Sequence, residues 1–189
     1  PAAFRRLEYL KGLSSFETET VNVPAELVTN SETVIDFMLR VVPTSEPDAW
    51  LRKQQVLSND KPTVAGLLLF GDEPQAALPK RCGIKIYRYK TNASEGTREA
   101  LAFDPITVEG GLYAQIKDAV EKTVGIVGEE KTLGKEALES VTYPRETIHE
   151  IVSNAVIHRD YSFPDDIHIR IFDNRIEVES PGRLPGHIT

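Results

Sequence analysis

Cysteine is almost missing from this 189-residue chain: Cys82 stands alone, so no disulfide can close within it and a reducing compartment is the simple expectation. Long apolar runs are missing too. A stretch such as Val64–Phe70 falls far short of the ~20 residues that span a bilayer, and no signal-peptide or lipidation pattern is present, so the default is cytosolic. Positive charge is in deficit, with 22 Lys and Arg against 29 Asp and Glu. A net charge of −7 argues against a broad nucleic-acid-binding surface, although it leaves room for a local basic patch. Several catalytic signatures begin and then fail. His149-Glu150 begins a zinc-protease pattern whose second His is replaced by Ser153. His158-Arg159-Asp160 echoes a kinase catalytic loop, but Asp165 stands where its Asn belongs, and neither D-F-G nor a Gly-rich loop accompanies it. Gly134-Lys135 is followed by Glu136 and lacks the upstream Gly of a Walker A loop, so strand-displacing helicase activity has no engine here. Neither internal repeats nor low-complexity tracts are found.

What remains is ordinary globular composition, 40% apolar and 27% charged, in a length that fits one or two domains with a real core. The richest stretch is 144–161. Pro144 suits a first helical position and Glu146 the positive end of the helix dipole. Ile148, Ile151, Val152, Ala155 and Val156 recur at helical spacing and predict a stripe buried against a sheet. Glu150, Asn154 and His158 form a column on the opposite face, where a carboxylate, a carboxamide and an imidazole can share a ligand or a metal-bound water. The plainer alternative is a solvated helix face, in which His158 and Arg159 simply favour the helix C-terminus. Beyond the helix, Ile167, Ile169 and Ile171 alternate with polar residues as a strand. Asp173-Asn174 is a turn candidate, 175–179 alternates back as the hairpin partner, and Ser180 to Gly186 is a turn-rich loop. This order places a backbone-lined pocket beside the Glu150/Asn154 face.

Glu150-x-x-x-Asn154-Ala155-x-x-His158-Arg159-Asp160-Tyr161, followed by Asp173-Asn174-Arg175-Ile176-Glu177 and Ser180-Pro181-Gly182-x-Leu184-Pro185, resembles a family of bacterial and archaeal proteins. These are transcriptional regulators or RecG-related ATP-dependent helicases that pair a Schlafen/AlbA-like module with a C-terminal domain similar to the Bergerat ATP-binding fold. The runs Gly12–Glu17, Pro62–Gly71 and Pro74-Gln75 resemble the same family, so the likeness covers nearly the whole chain. It implies that Glu150 activates an attacking water and that Asn154 holds Mg²⁺ against the phosphates of ATP. It implies further that His158, Ser180, Gly182 and Gly186 border the nucleotide. Ser180 stands where the adenine-reading Asp of that fold falls, and a lid segment would lie past Thr189. The implied binding is therefore weak or absent, and the enzyme at most a weak ATPase.

Residues 4–11 suggest a short helix, the tail of an upstream AlbA-like module, and 14–31 a linker. Asn30 or Ser31 can cap a helix carrying Val34, Ile35, Met38, Leu39 and Val42, stopped by Pro43. Pro47 opens another, with Trp50 as a packing residue. Periodicity does not separate strand from helix at Val64–Phe70, but Thr63 and Gly71 as caps favour helix. Residues 84–89 alternate as a strand, and Lys80, Arg81, Lys85, Arg88 and Lys90 with Tyr87 and Tyr89 form a basic-aromatic cluster that reads as a solvated edge, with nucleic-acid contact as the alternative. A second strand, interrupted by Pro105, is expected over 101–108, and a helix beyond Gly110-Gly111 with Leu112, Ile116, Ala119, Val120, Thr123 and Val124 on one face. A surface loop follows near 129–134, and a third strand over 135–142.

The expected architecture is α/β, a mixed sheet with helices packed on one face as a Bergerat-like ATPase half-domain. A helical connector covers 1–60, and the α/β domain covers 61–189 as part of a longer chain. The expected function is a regulatory ATP-binding-like domain of a transcriptional regulator, taking ATP and Mg²⁺, with DNA engaged through the upstream module. A nucleotide-free scaffold that dimerises or docks a partner is the alternative, and direct DNA binding by the 80–90 stretch is the third.

Overall fold

The computed structural model describes residues 15–78, 82–128, 131–133, 138–140 and 143–182. The chain divides into two compact units, Pro1–Arg81 with Gly110–Leu112, and Cys82–Glu109 with Tyr113–Thr189. The division thus falls later than the expected 60/61 boundary.

The first unit is helical. Its described part starts with a 3₁₀ turn, Phe16–Thr18, and continues through α1 (Glu26–Thr29), α2 (Glu32–Val41) and α3 (Pro47–Lys53). A short hairpin of β1 (Leu57–Ser58) and β2 (Lys61–Pro62) leads to α4 (Val64–Phe70) and α5 (Pro74–Ala77). Asn59 and Asp60 make the hairpin turn with φ of 51° and 59°, the left-handed backbone that a two-residue turn between twisted strands requires. Ser31 caps α2 by accepting from the Val34 N–H, and Thr63 caps α4 by accepting from the Gly66 N–H, so both local signals act as the sequence indicates. Val28, Val34, Leu51 and Leu67 are fully buried at the centre. Phe37, Trp50 and Phe70 join them as a ring cluster with centroids 5.2 to 5.9 Å apart, which is the packing role expected of Trp50.

Two expectations for this unit need correction. Residues 15–31 are not a linker: Val21 donates to the Pro62 carbonyl at 2.8 Å, Val64 donates to Glu19 at 2.9 Å, and Val28 is fully buried. Isolated backbone bonds of this kind leave no periodicity to detect. In α2, Val34 and Met38 are buried, whereas Ile35 and Leu39 are 47% and 70% exposed, because only a narrow i, i+4 stripe meets the core.

The second unit is built on a four-stranded sheet whose strands lie in the order Ile106–Val108, Ile84–Arg88, Ile167–Ile171 and Ile176–Glu179, and the expected mixed α/β architecture is present. Its strands are β3 (Ile84–Arg88), β4 (Ile106–Val108), β7 (Ile167–Ile171) and β8 (Ile176–Glu179). The helix α6 (Leu112–Gly128) follows β4, and α7 (Arg145–Ile157) precedes β7. Between the two helices, β5 (Lys131–Leu133) and β6 (Leu138–Ser140) form their own antiparallel hairpin. The central pair β3 and β7 is parallel, with Ile84 opposite Ile167 and Ile86 opposite Ile169, and the outer pairs are antiparallel. Ile84, Ile86, Ile167, Ile169 and Ile171 supply the buried face. Ile148, Val152, Ala155 and Val156 of α7 are buried with them, and Asp173-Asn174 makes the turn into β8, closed by Phe172 donating to Arg175 at 2.8 Å.

Several readings of this unit change. The strand at 84–88 is no solvated edge: it lies between β4 and β7, and Arg88 is 2% exposed with its guanidinium 2.6 Å from the Asp173 carboxylate. Ile151 is 42% exposed, since the sheet covers the 148/152/155/156 stripe and Ile151 falls at its margin. Pro144 is the N-cap, with ψ of 129°, not the first helical residue. Only Ile106–Val108 of the expected 101–108 strand is regular, starting after Pro105. Gln115, not Ile116, is among the buried residues of α6. Lys131–Leu133, expected within a loop, is a strand. The expected helix at 4–11 lies outside the described residues.

Candidate functional site

The column Glu150, Asn154 and His158 lies on the exposed side of α7, opposite the residues that pack on the sheet. Asn154 sits mid-helix, and its carbonyl accepts from the His158 N–H at 3.0 Å, so His158 is the C-cap residue. The chain then folds back on the helix end. Tyr161 Oη donates to the Val156 carbonyl at 2.9 Å, and Asp160 Oδ1 accepts from the Ser162 N–H at 2.9 Å. Arg159, 4% exposed, donates to the Gly83 carbonyl at 3.4 Å and also to the Asp165 carbonyl, with its guanidinium 5.0 Å from the Tyr161 ring centroid. Burial pulls its pKa below the usual arginine value, with Tyr161, Cys82, Asp166 and Asp165 opposing that shift. The structural role expected of Arg159 is therefore observed.

The loop after β8 is stitched onto this helix end from two sides. Ser180 Oγ donates to the Ala155 carbonyl at 2.7 Å, and the Asp160 N–H donates to the Pro181 carbonyl at 2.9 Å. Gly182 lies beside Asp160 at φ +150°, a backbone conformation that strains any side chain. The turn carrying Asn154 and His158 and the loop carrying Ser180 and Gly182 are thus brought together, with Glu150 one turn earlier. Gly186 lies outside the described residues.

The chemistry of these donors bears on Mg²⁺ and ATP in two ways. Carboxylate and carboxamide oxygens from Glu150 and Asn154 suit a hard cation whose remaining positions go to phosphate and water; the imidazole of His158 does not. At the loop, Ser180 spends its one hydroxyl proton on Ala155, leaving lone pairs that can accept from an amine. Such an acceptor is neutral and weaker than a carboxylate. Glu150 and Asn154 would offer a cation oxygen ligands, and Ser180 would offer the base a single neutral acceptor. Among the described residues no cluster of three or more His, Cys, Asp or Glu side chains could hold a metal by itself.

Sequence reasoning missed a second constellation on the other face of the sheet. Tyr87 Oη lies 3.2 Å from His168 Nδ1, and His168 Nε2 lies 3.4 Å from Asp165 Oδ1. Tyr87 also stacks on Tyr89, with planes 3° apart. Burial raises the Tyr87 pKa, and Tyr89 adds to the shift. Alternation places Tyr87 on this face, but its meeting with His168 depends on a parallel pairing across a long separation. The cations here are largely paired: Lys85 is 3.9 Å from Asp166, Arg170 is 2.6 Å from Glu179 and Arg175 is 2.6 Å from Glu177. A phosphate-tracking basic stripe is thereby opposed by matched carboxylates. Lys80 and Arg81 of the expected cluster lie outside the described residues.

With this geometry in hand, the chain is similar to the crystal structure of the DIP2311 protein from Corynebacterium diphtheriae, at a TM-score of 0.62 and 20% sequence identity. The match covers 96% of this chain and 36% of that one, so the chain spans little more than a third of its structural neighbour. That likeness concerns the fold alone. No family model matches, and no curated protein matches. Among the described residues no helix is long and apolar enough to cross a membrane.

Proposed function

We propose that the second unit is a regulatory Mg·ATP-binding-like domain of a bacterial or archaeal transcriptional regulator, at most a weak ATPase. The single observation that supports it best is the Ser180–Ala155 hydrogen bond of 2.7 Å, which holds the loop beside the turn bearing Asn154. The motif resemblance to Schlafen/AlbA-like, RecG-related proteins with a Bergerat-type domain supports it independently. In this reading Asn154 ligates the cation, Glu150 orients or deprotonates water, and the loop from Ser180 onward borders the base. DNA contact is assigned to another module, because Lys85 and Arg88 of the 80–90 stretch are matched by Asp166 and Asp173. Calorimetry with Mg·ATP on the wild-type chain and Asn154→Ala tests it. The expected result is weak binding that disappears in Asn154→Ala; equal affinity in both proteins would move the pocket off this helix.

A second reading, a nucleotide-free docking or dimerisation face, is favoured by a different observation. Ile151 and Ile157 are 42% and 68% exposed on the same side of α7 as Glu150, Asn154 and His158. Absence of nucleotide binding in either protein, together with a dimer broken by Ile157→Ser in sedimentation, would support this reading instead.

A further inference from the structure

The first unit contains a cleft of about 500 Å³ that the reading above leaves unused. Its floor is apolar: Leu67 is 1% exposed, and Val23, Leu27 and Ala77 line the walls. Its rim is acidic, with the exposed side chains of Glu26 and Glu73. Asp72 also borders the cleft, but its carboxylate already accepts from the Glu32 and Thr33 N–H groups at 3.2 and 3.3 Å, so it serves α2. Apolar surface continues outward from the cleft. Leu27 is 47% exposed, Ile35 lies one helical turn past Ser31 of the lining, and Leu39 lies one turn further, at 47% and 70% exposure. The exposed polar neighbours on this side of α2 are again acidic at Glu32 and Asp36, the latter paired with Arg40 at 2.9 Å.

We infer that this cleft and the stripe beside it dock a basic amphipathic helix of a partner protein, one apolar side chain entering the cleft while Lys or Arg residues flank it at Glu26 and Glu73. An apolar floor makes burial the source of affinity, and an anionic rim selects cationic flanks and rejects acidic ones. Groove-bound helices read out i, i+3, i+4 and i+7 anchors, which matches a deep site followed by residues one and two turns along α2.

The test uses the whole chain and a fluorescein-labelled amphipathic peptide of Leu, Ala and Lys with Leu at helical spacing, read by anisotropy. Saturable binding is expected, weakened about tenfold or more by Glu26→Lys with Glu73→Lys and by Leu27→Ser. Glu26→Gln with Glu73→Gln, which adds no repulsion, should weaken it less and steepen no salt dependence. Glu121→Lys, on the second unit, should leave it unchanged, and the same peptide with Glu in place of Lys should not bind. Four results overturn the inference: no saturable binding, binding of the Glu peptide, an equal loss in Glu121→Lys, or a dimer of the chain alone that Leu27→Ser dissociates. The last would assign the surface to a second copy of the chain.

Discussion

Ser180 Oγ donates to the Ala155 carbonyl at 2.7 Å, joining the end of β8 to the last turn of α7. The bond satisfies a carbonyl near the helix end and sets where the following loop can run. Ser180→Ala should cost about 1 kcal/mol in urea unfolding. Ser180→Asp should cost more, because an ionised carboxylate has no proton to donate to Ala155. A Ser180→Asp protein as stable as wild type would show that the hydrogen bond does not set the loop.

Asn154 is exposed in the middle of α7, where alanine is the better helix former. Asn154→Ala should hold or raise stability, by up to roughly 0.6 kcal/mol, in thermal unfolding. A loss of Mg·ATP binding in that variant would then reflect the missing carboxamide, not a damaged helix.

Arg159 reaches the carbonyls of Gly83 and Asp165, and so ties the end of α7 to the segments that enter β3 and β7. Arg159→Ala should destabilise by about 2–4 kcal/mol, since two partly buried carbonyls lose a charged donor. Arg159→Lys should recover little of it, as an ammonium lacks the fork that serves both. Chemical denaturation of the three proteins gives the comparison.

Gly66 lies in α4 against the Val56 backbone, and a Cβ there would overlap the Val56 carbonyl oxygen. Gly66→Ala should therefore destabilise the first unit by ~2 kcal/mol or more, although alanine is the better helix residue at an open site. A stabilised Gly66→Ala protein would contradict the close approach.

Tyr87 ionises above the ordinary tyrosine value because burial disfavours the phenolate, with Tyr89 next in effect. A folded pKa above the unfolded one means that the folded chain holds this proton more tightly. The associated stability is complete below the unfolded value and lost as pH rises through the folded one. A spectrophotometric titration of phenolate absorbance should show a late component that Tyr87→Phe removes, with a shallower alkaline loss of stability in that variant.

Much of the local structure was legible because its causes are local. The helix over 145–157, the capping by Ser31 and Thr63, the Asp173-Asn174 turn and the exposed column Glu150, Asn154 and His158 follow from spacing and side-chain chemistry within a few residues. The exposure of Ile151 was not legible, because periodicity marks an apolar stripe without saying how wide a surface will cover it.

Sequence by itself determined the helix over 145–157, the capped starts of α2 and α4, the strands over 84–88 and 167–171, and which polar side chains would share one face of α7. Only the tertiary structure decided that β3 lies inside the sheet beside β7, which buries Arg88 against Asp173 and brings Tyr87 to His168. It also decided that the Ser180 hydroxyl is directed to Ala155 and that the apolar cleft of the first unit has an acidic rim. Those outcomes depend on pairings between residues tens of positions apart, whose free energy comes from burial and register and not from any local preference of the residues themselves.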